Sequence, residues 1–131
     1  MKIDDALFDQ LTEQAKESPR LRMNLDLRNS AEDSSQRMLN AIEPGSLVPI
    51  HRHQKTSETV VVLRGRVVEE YYSSEGVVVA TYDLAAAGPI SALNIPAGQW
   101  HTLRALDSGT VILEMKDGAY EPITPVDILS M

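Results

Sequence analysis

The chain has 131 residues, no cysteine and a formal net charge of −7. This length fits one domain with a real hydrophobic core, and the acidic balance argues against a nucleic-acid partner. Without cysteine, disulfides and thiolate metal sites are excluded. No stretch approaches the roughly 20 apolar residues that span a bilayer, and the N-terminus lacks the apolar region of a signal peptide. We therefore expect a cytoplasmic protein that does not bind membranes.

The charge is unevenly distributed. Residues 20–66 hold eight basic and five acidic residues, so this segment carries +3 and the remainder of the chain carries −10. Two interpretations stay open. The segment is a solvated charge pattern, or it lines a pocket that attracts an anionic small molecule such as a phosphate or carboxylate.

The predicted elements begin with one amphipathic helix over residues 4–17. Leu7, Leu11 and Ala15 recur every fourth residue, and Pro19 ends the helix. Apolar residues then alternate with polar ones over 20–28, which predicts a half-buried strand.

The rest of the chain consists of short predicted strands separated by turn residues. They lie at 36–42, 47–53, 58–64, 66–73, 76–84, 91–95, 100–105 and 109–116. The valine-rich runs at 59–63 and 77–80 predict strands buried on both faces. Many short strands at near-even spacing favour an antiparallel sandwich or barrel.

Two motifs contain every histidine of the chain. The first is Gly45-x5-His51-x-His53-x4-Glu58-x6-Gly65, and the second is Pro96-x-Gly98-x-x-His101. In a strand, His51 and His53 point to the same face, and a hairpin through 54–57 is expected to bring Glu58 back beside them. These side chains together predict a metal site.

Three imidazoles and one carboxylate suit one divalent transition metal, namely Fe, Zn, Mn, Ni or Co. They leave one or two coordination positions open for water, dioxygen or substrate. The sequence assigns no catalytic residue beyond these ligands.

The two motifs resemble those of the cupins, small β-barrels whose pocket holds a metal on three histidines and one glutamate. The first motif matches at every position. The second departs twice, because its early glycine is displaced to Gly88 and Ala105 stands where an asparagine is expected.

The cupin resemblance implies an all-β fold, a jelly-roll-like antiparallel barrel or sandwich with a short N-terminal α-helix. We expect a helical extension over 1–19, the cupin domain over 20–120, and a tail over 121–131 that packs on the barrel.

A narrower resemblance covers roughly residues 20–120. It is carried by Arg22-x-Asn24, by Asp33-x-x-Gln36-Arg37-Met38-Leu39-Asn40-Ala41, by Pro44-Gly45-Ser46 and by the His-Arg-His core. These motifs are similar to the WbuC-type cupin-fold metalloproteins of bacterial O-antigen and surface-polysaccharide gene clusters. The proline that usually precedes the first histidine is moved one place, to Pro49. The resemblance implies a role in lipopolysaccharide or related polysaccharide biosynthesis, without a reaction.

Four side chains are candidates for ligand binding. Arg22 and Asn24 share one strand face, and Gln36 and Arg37 follow on the next strand. If they line the cavity, they offer cationic and amide donors to an anionic or sugar-like ligand. The alternative is that they cover the outside of the barrel or pair with nearby acids.

Several functions fit these observations. The first is an enzyme whose metal acts as a Lewis acid on a sugar or nucleotide sugar, with an Fe(II) dioxygenase as a variant. The second is a non-catalytic, metal-centred small-molecule-binding or accessory protein. A metal-free epimerase fits less well, since the ligand quartet is complete. A homodimer is expected, because the helix at 4–17 and a leftover apolar strand need cover.

Overall fold

A computed structural model describes residues 1–129. Helix α1 spans Asp5–Glu17, and the Asp4 carboxylate caps it by accepting a hydrogen bond from the Leu7 N–H at 3.1 Å. Its buried face, formed by Phe8, Leu11 and Ala15, packs on one side of a β-sheet. Within the described residues, no helix is long and apolar enough to cross a bilayer.

Eight strands form two antiparallel sheets. The strands are β1 (Arg22–Asp26), β2 (Ser35–Ile42), β3 (Glu58–Arg64), β4 (Arg66–Tyr72), β5 (Val78–Ala85), β6 (Ala92–Ile95), β7 (Trp100–Ala105) and β8 (Thr110–Asp117). One sheet has the order β1-β2-β8-β3-β6, and the other has the order β5-β4-β7. The predicted all-β barrel or sandwich with one N-terminal helix is confirmed.

The core lies between the two sheets. Both sheets contribute to one buried apolar cluster, which includes Ile42, Val60, Val62, Val67, Leu84, Leu103 and Ile112. The outer face of the five-stranded sheet forms a second cluster with α1. In β2 and β8, alternate residues therefore face the barrel interior and the helix.

Two sequence predictions about strands are wrong. Residues 47–53 do not form a strand, because Pro49 has no N–H to donate and only His51 makes isolated bridges. The expected hairpin between this segment and β3 is therefore absent, and β3 pairs with β6 and β8 instead.

The second error concerns burial of the valine-rich runs. Val77 and Val79 are 61% and 60% exposed, since β5 is the edge strand of the smaller sheet. In β3, Val60 and Val62 are buried while the alternate residues are only half-buried.

The barrel interior contains one carboxyl group that forms no hydrogen bond within residues 1–129. Glu69 of β4 has no exposed surface, and neither of its carboxyl oxygens has a hydrogen-bond partner within residues 1–129. Burial, and secondarily the charge of Glu58, raises the pKa of Glu69 to about 9. Glu69 is therefore neutral at pH 7.

Candidate metal centre

The first histidine motif is anchored to the second by backbone hydrogen bonds. The His51 N–H donates to the His101 carbonyl at 3.0 Å, and the His101 N–H donates to the His51 carbonyl at 2.8 Å. The Gly98 N–H donates to the His53 carbonyl at 2.8 Å. Gly98 has φ +83°, a left-handed conformation that favours glycine. The Pro-x-Gly turn thus both starts β7 and fixes the position of His53.

This pairing brings the three imidazoles together. The ring centroid of His51 lies 4.3 Å from that of His101 and 5.1 Å from that of His53. One nitrogen from each ring lies within 4.8 Å of the others. Metal–nitrogen bonds of about 2.0–2.1 Å place the donor atoms at most roughly 4.2 Å apart. A small inward movement of the rings would therefore let all three nitrogens bind one ion.

Glu58 reaches the histidines from the start of β3. Its Oε2 atom lies 3.1 Å from His53 Nε2, and its Oε1 atom lies 4.0 Å from His101 Nε2. Lys116 of β8 places its Nζ atom 3.5 Å from Glu58 Oε2. The pairing of β3 within the five-stranded sheet therefore positions the Glu58 carboxylate, and the expected hairpin does not.

The hydrogen bonds of the rings favour metal binding. Nδ1 of His51 lies 2.8 Å from the Pro49 carbonyl, and Nδ1 of His101 lies 2.8 Å from the Gln99 carbonyl. A carbonyl only accepts, so each Nδ1 is the protonated nitrogen and each Nε2 is left with a free lone pair. Nε2 of His101 is buried and has no hydrogen-bond partner within residues 1–129, and Nε2 of His53 is buried beside the Glu58 carboxylate. A buried nitrogen lone pair without a hydrogen-bond donor fits metal coordination.

The protonation states agree with this. Burial, and secondarily the neighbouring His101, lowers the pKa of His51 to about 4. Burial also lowers the pKa of His101. For Glu58, burial opposes ionisation, but His53, Lys116 and His101 together outweigh it and lower the pKa. Neutral imidazoles and an ionised carboxylate are the forms that bind a metal.

The histidines open onto a cavity of about 220 Å³. Arg22 and Asn24, both predicted ligand-binding residues, line this cavity. Gln36 and Arg37 do not line it. The Gln36 amide donates to the Gly118 carbonyl at 2.9 Å, and Arg37 contacts Asp33 and the Ser35 carbonyl near the outer end of β2.

Sequence reasoning missed four polar residues of the cavity wall. They are Arg20, which precedes β1, Asn40 of β2, and Glu114 and Lys116 of β8. Glu114 and Lys116 alternate with the apolar Leu113 and Met115. That alternation was a usable signal, although it does not tell which face looks inward.

The chain beyond β8 also contributes. The Asp127 carboxylate accepts from Arg52 Nε at 3.1 Å and from Gln54 Nε2 at 2.5 Å. The Leu129 N–H donates to the Ile50 carbonyl at 2.8 Å. Arg52 does not line the cavity of the histidines, and its guanidinium lies 4.5 Å from the Trp100 ring centroid. The histidine segment is thus held between β7 and the C-terminal residues.

Two facing antiparallel sheets with these motifs at one cavity define a cupin-fold protein. Similar solved structures include the capsular polysaccharide assembling protein CapF from Staphylococcus aureus, at 19% identity and TM-score 0.68, covering 82% of this chain and 31% of that one. Oxalate oxidase in complex with the substrate analogue glycolate matches at 16% identity and TM-score 0.65, covering 82% and 56%. KdgF from Halomonas sp. matches at 14% identity and TM-score 0.62, covering 79% and 84%.

The chain itself belongs to the family described as Domain of unknown function (DUF6016), whose model matches residues 3–84. No curated protein matches it. It spans about a third of the length of CapF. At these identities the structural similarities establish the fold and leave the activity to be argued from the site.

Proposed function

We propose that His51, His53, Glu58 and His101 bind one divalent transition metal, Fe, Zn, Mn, Ni or Co, and that the bound metal faces a small polar cavity. The observation that carries this proposal is the convergence of the three histidines. Hydrogen bonds to backbone carbonyls orient the rings of His51 and His101, and a hydrogen bond from the Gly98 N–H holds the backbone of His53. Such a metal would supply Lewis-acid polarisation of a ligand oxygen.

We further propose that the protein is an enzyme acting on a sugar or nucleotide sugar in surface-polysaccharide biosynthesis. Arg22 in the cavity wall supports an anionic ligand. The polysaccharide context is supported by the fold shared with a capsular polysaccharide assembling protein and by the WbuC-type resemblance of residues 20–120. In this role Arg22 and Asn24 would orient the ligand, and Ile42 and Leu103 would exclude water from one side of it.

We propose a homodimer in the cytoplasm, and the exposed valines 77–79 at the start of β5 support association. We also propose a helical extension over 1–19, a cupin domain over 20–120 and a tail over 121–131. Light scattering that finds only a monomer at micromolar concentration would contradict the dimer.

The experiment compares metal-loaded protein with chelator-treated protein against a panel of sugar phosphates and nucleotide sugars. We expect ligand-dependent thermal stabilisation in the loaded protein alone, and NMR of the mixtures to show turnover. Binding without turnover would favour the non-catalytic alternative, and oxygen consumption by Fe(II)-loaded protein would favour the dioxygenase. Equal behaviour of loaded and stripped protein toward every compound would contradict the proposal.

A further inference from the structure

One wall of the cavity is largely polar and is built by three neighbouring strands. Asn24 of β1 lies directly opposite Asn40 of β2 in the strand register. Glu114 of β8 follows on the same interior face, opposite Met38 of β2. Arg20, Arg22 and Lys116 add cationic groups to the cavity lining.

Asn40 is the most informative of these residues. It is only 7% exposed, and it lines the cavity together with Glu114. Its Oδ1 atom is a buried acceptor with no partner within residues 1–129. A buried acceptor without a hydrogen bond destabilises the fold, so a hydrogen-bond donor on a bound ligand would be favourable here.

The acceptors of Asn40 and Glu114 restrict the chemistry of the ligand. A phosphate or carboxylate only accepts hydrogen bonds, so it pairs with Arg22 or Lys116 but not with Asn40 Oδ1. A hydroxyl group donates one hydrogen bond and accepts others. A wall that combines cations with acceptors is therefore complementary to a ligand that carries both an anionic group and hydroxyl groups.

The size of the cavity restricts the ligand further. Its volume of about 220 Å³ equals roughly seven water molecules at about 30 Å³ each. This is below the roughly 300–1,000 Å³ that is usual for larger ligands. One small ring compound fits, whereas the nucleotide part of a nucleotide sugar would have to lie outside the cavity.

We propose that Asn40 and Glu114 form a hydroxyl-binding subsite, and that the ligand of this cavity is a single small anionic polyol such as a hydroxylated ring acid. This inference rests on the proposed function for the position of the ligand beside the metal. The subsite itself consists of protein groups alone.

Two probes test the subsite. Quinate and cyclohexanecarboxylate share a six-membered ring and a carboxylate and differ only in the hydroxyl groups of quinate. Binding of each is measured by isothermal titration calorimetry to the whole chain, both Co(II)-loaded and chelator-treated. We expect quinate to bind at least roughly tenfold more tightly than cyclohexanecarboxylate, since one of its hydroxyl groups can satisfy the buried Oδ1 atom of Asn40.

The matched variants are Asn40→Leu, which removes the acceptor, and Asn94→Leu as control. Asn94 is an exposed asparagine of β6 that contacts Thr59 away from the cavity. Asn40→Leu should lose roughly tenfold of the preference for quinate and keep its metal content, while Asn94→Leu should keep both. If Asn40→Leu does not fold, Glu114→Gln replaces it, and we expect the same loss of preference.

Equal affinity for the two probes, no binding of either, or an unchanged preference in Asn40→Leu and Glu114→Gln would overturn the inference. Failure of the proposed function is seen separately, as a chain that takes up no metal. The preference for quinate is then read from the metal-free protein, where Asn40 and Glu114 remain in place.

Discussion

Replacing Glu69 with glutamine should stabilise the protein at neutral and alkaline pH. Burial raises the pKa of Glu69 in the folded chain to about 9, from an ordinary value of 4.5. Between these two values the unfolded carboxyl is ionised while the folded one keeps its proton. The stability associated with a raised pKa is complete below about pH 4.5 and is lost progressively as the pH rises to about 9.

The size of the effect follows from this gap. At pH 7, which is about 2.5 units above the ordinary pKa, ionisation of the carboxyl stabilises the unfolded state by about 1.4 kcal/mol per unit, or about 3.5 kcal/mol in all. Glutamine has a similar shape and no ionisation, so Glu69→Gln should recover most of that free energy of unfolding at pH 7 and almost none at pH 4.

Urea unfolding at pH 4, 5.5, 7 and 8.5 measures the difference between parent and variant. We expect it to grow by about 1.4 kcal/mol per pH unit above pH 5. Glu75→Gln, at an exposed turn, is the control and should show no such slope. A Glu69→Gln protein whose stability relative to the parent does not depend on pH would refute the reasoning.

Three further predictions concern single side chains. Gly65→Ala should destabilise the fold by at least about 2 kcal/mol in urea unfolding, because Gly65 has φ +83° and an added Cβ would lie 2.9 Å from Thr110 Cα; an unchanged midpoint would contradict this. Arg22→Ala should weaken binding of anionic sugars roughly ten- to a hundredfold in calorimetry with metal content unchanged, whereas Arg37→Ala should bind as the parent does. Asp127→Ala should lower metal affinity roughly tenfold in a chelator competition, because its two partners, Arg52 and Gln54, flank His53; unaltered affinity would show that the C-terminal residues do not position the ligands.

Periodicity predicted the helix and most strands because each of these elements buries one face. Leu7, Leu11 and Ala15 recur at helical spacing, and the observed helix differs from the predicted one by a single residue. The segment 47–53 has a similar alternation but contains Pro49, and its backbone partners are single residues distant in sequence. A local pattern does not reveal such partners. A local pattern also does not reveal that β5 lies at the edge of its sheet. For this reason the sequence wrongly predicted burial of the valines at 77–79.

The histidines were identifiable because rare residues occurred at specific spacings. The structure brings all three together, although Glu58 arrives by a different route from the one expected. The cavity wall was only partly identifiable. Arg22 and Asn24 line it, while Gln36 lies farther along β2, beyond the cavity. Asn40 and Glu114 were not singled out, because their importance depends on strand neighbours that only the folded register defines.

The measurement that tests the central proposal most directly is metal stoichiometry by elemental analysis. Protein purified without a histidine tag is offered Fe(II), Mn(II), Co(II), Ni(II) and Zn(II) in turn and then desalted. We predict close to one ion per chain for at least one metal, and loss of that ion in His51→Ala, His53→Ala and His101→Ala. The control is Lys55→Ala, at an exposed residue between His53 and Glu58 in the sequence, and this variant should retain the ion. A parent that binds none of these metals, or a His101→Ala protein that binds the ion as the parent does, would contradict the account.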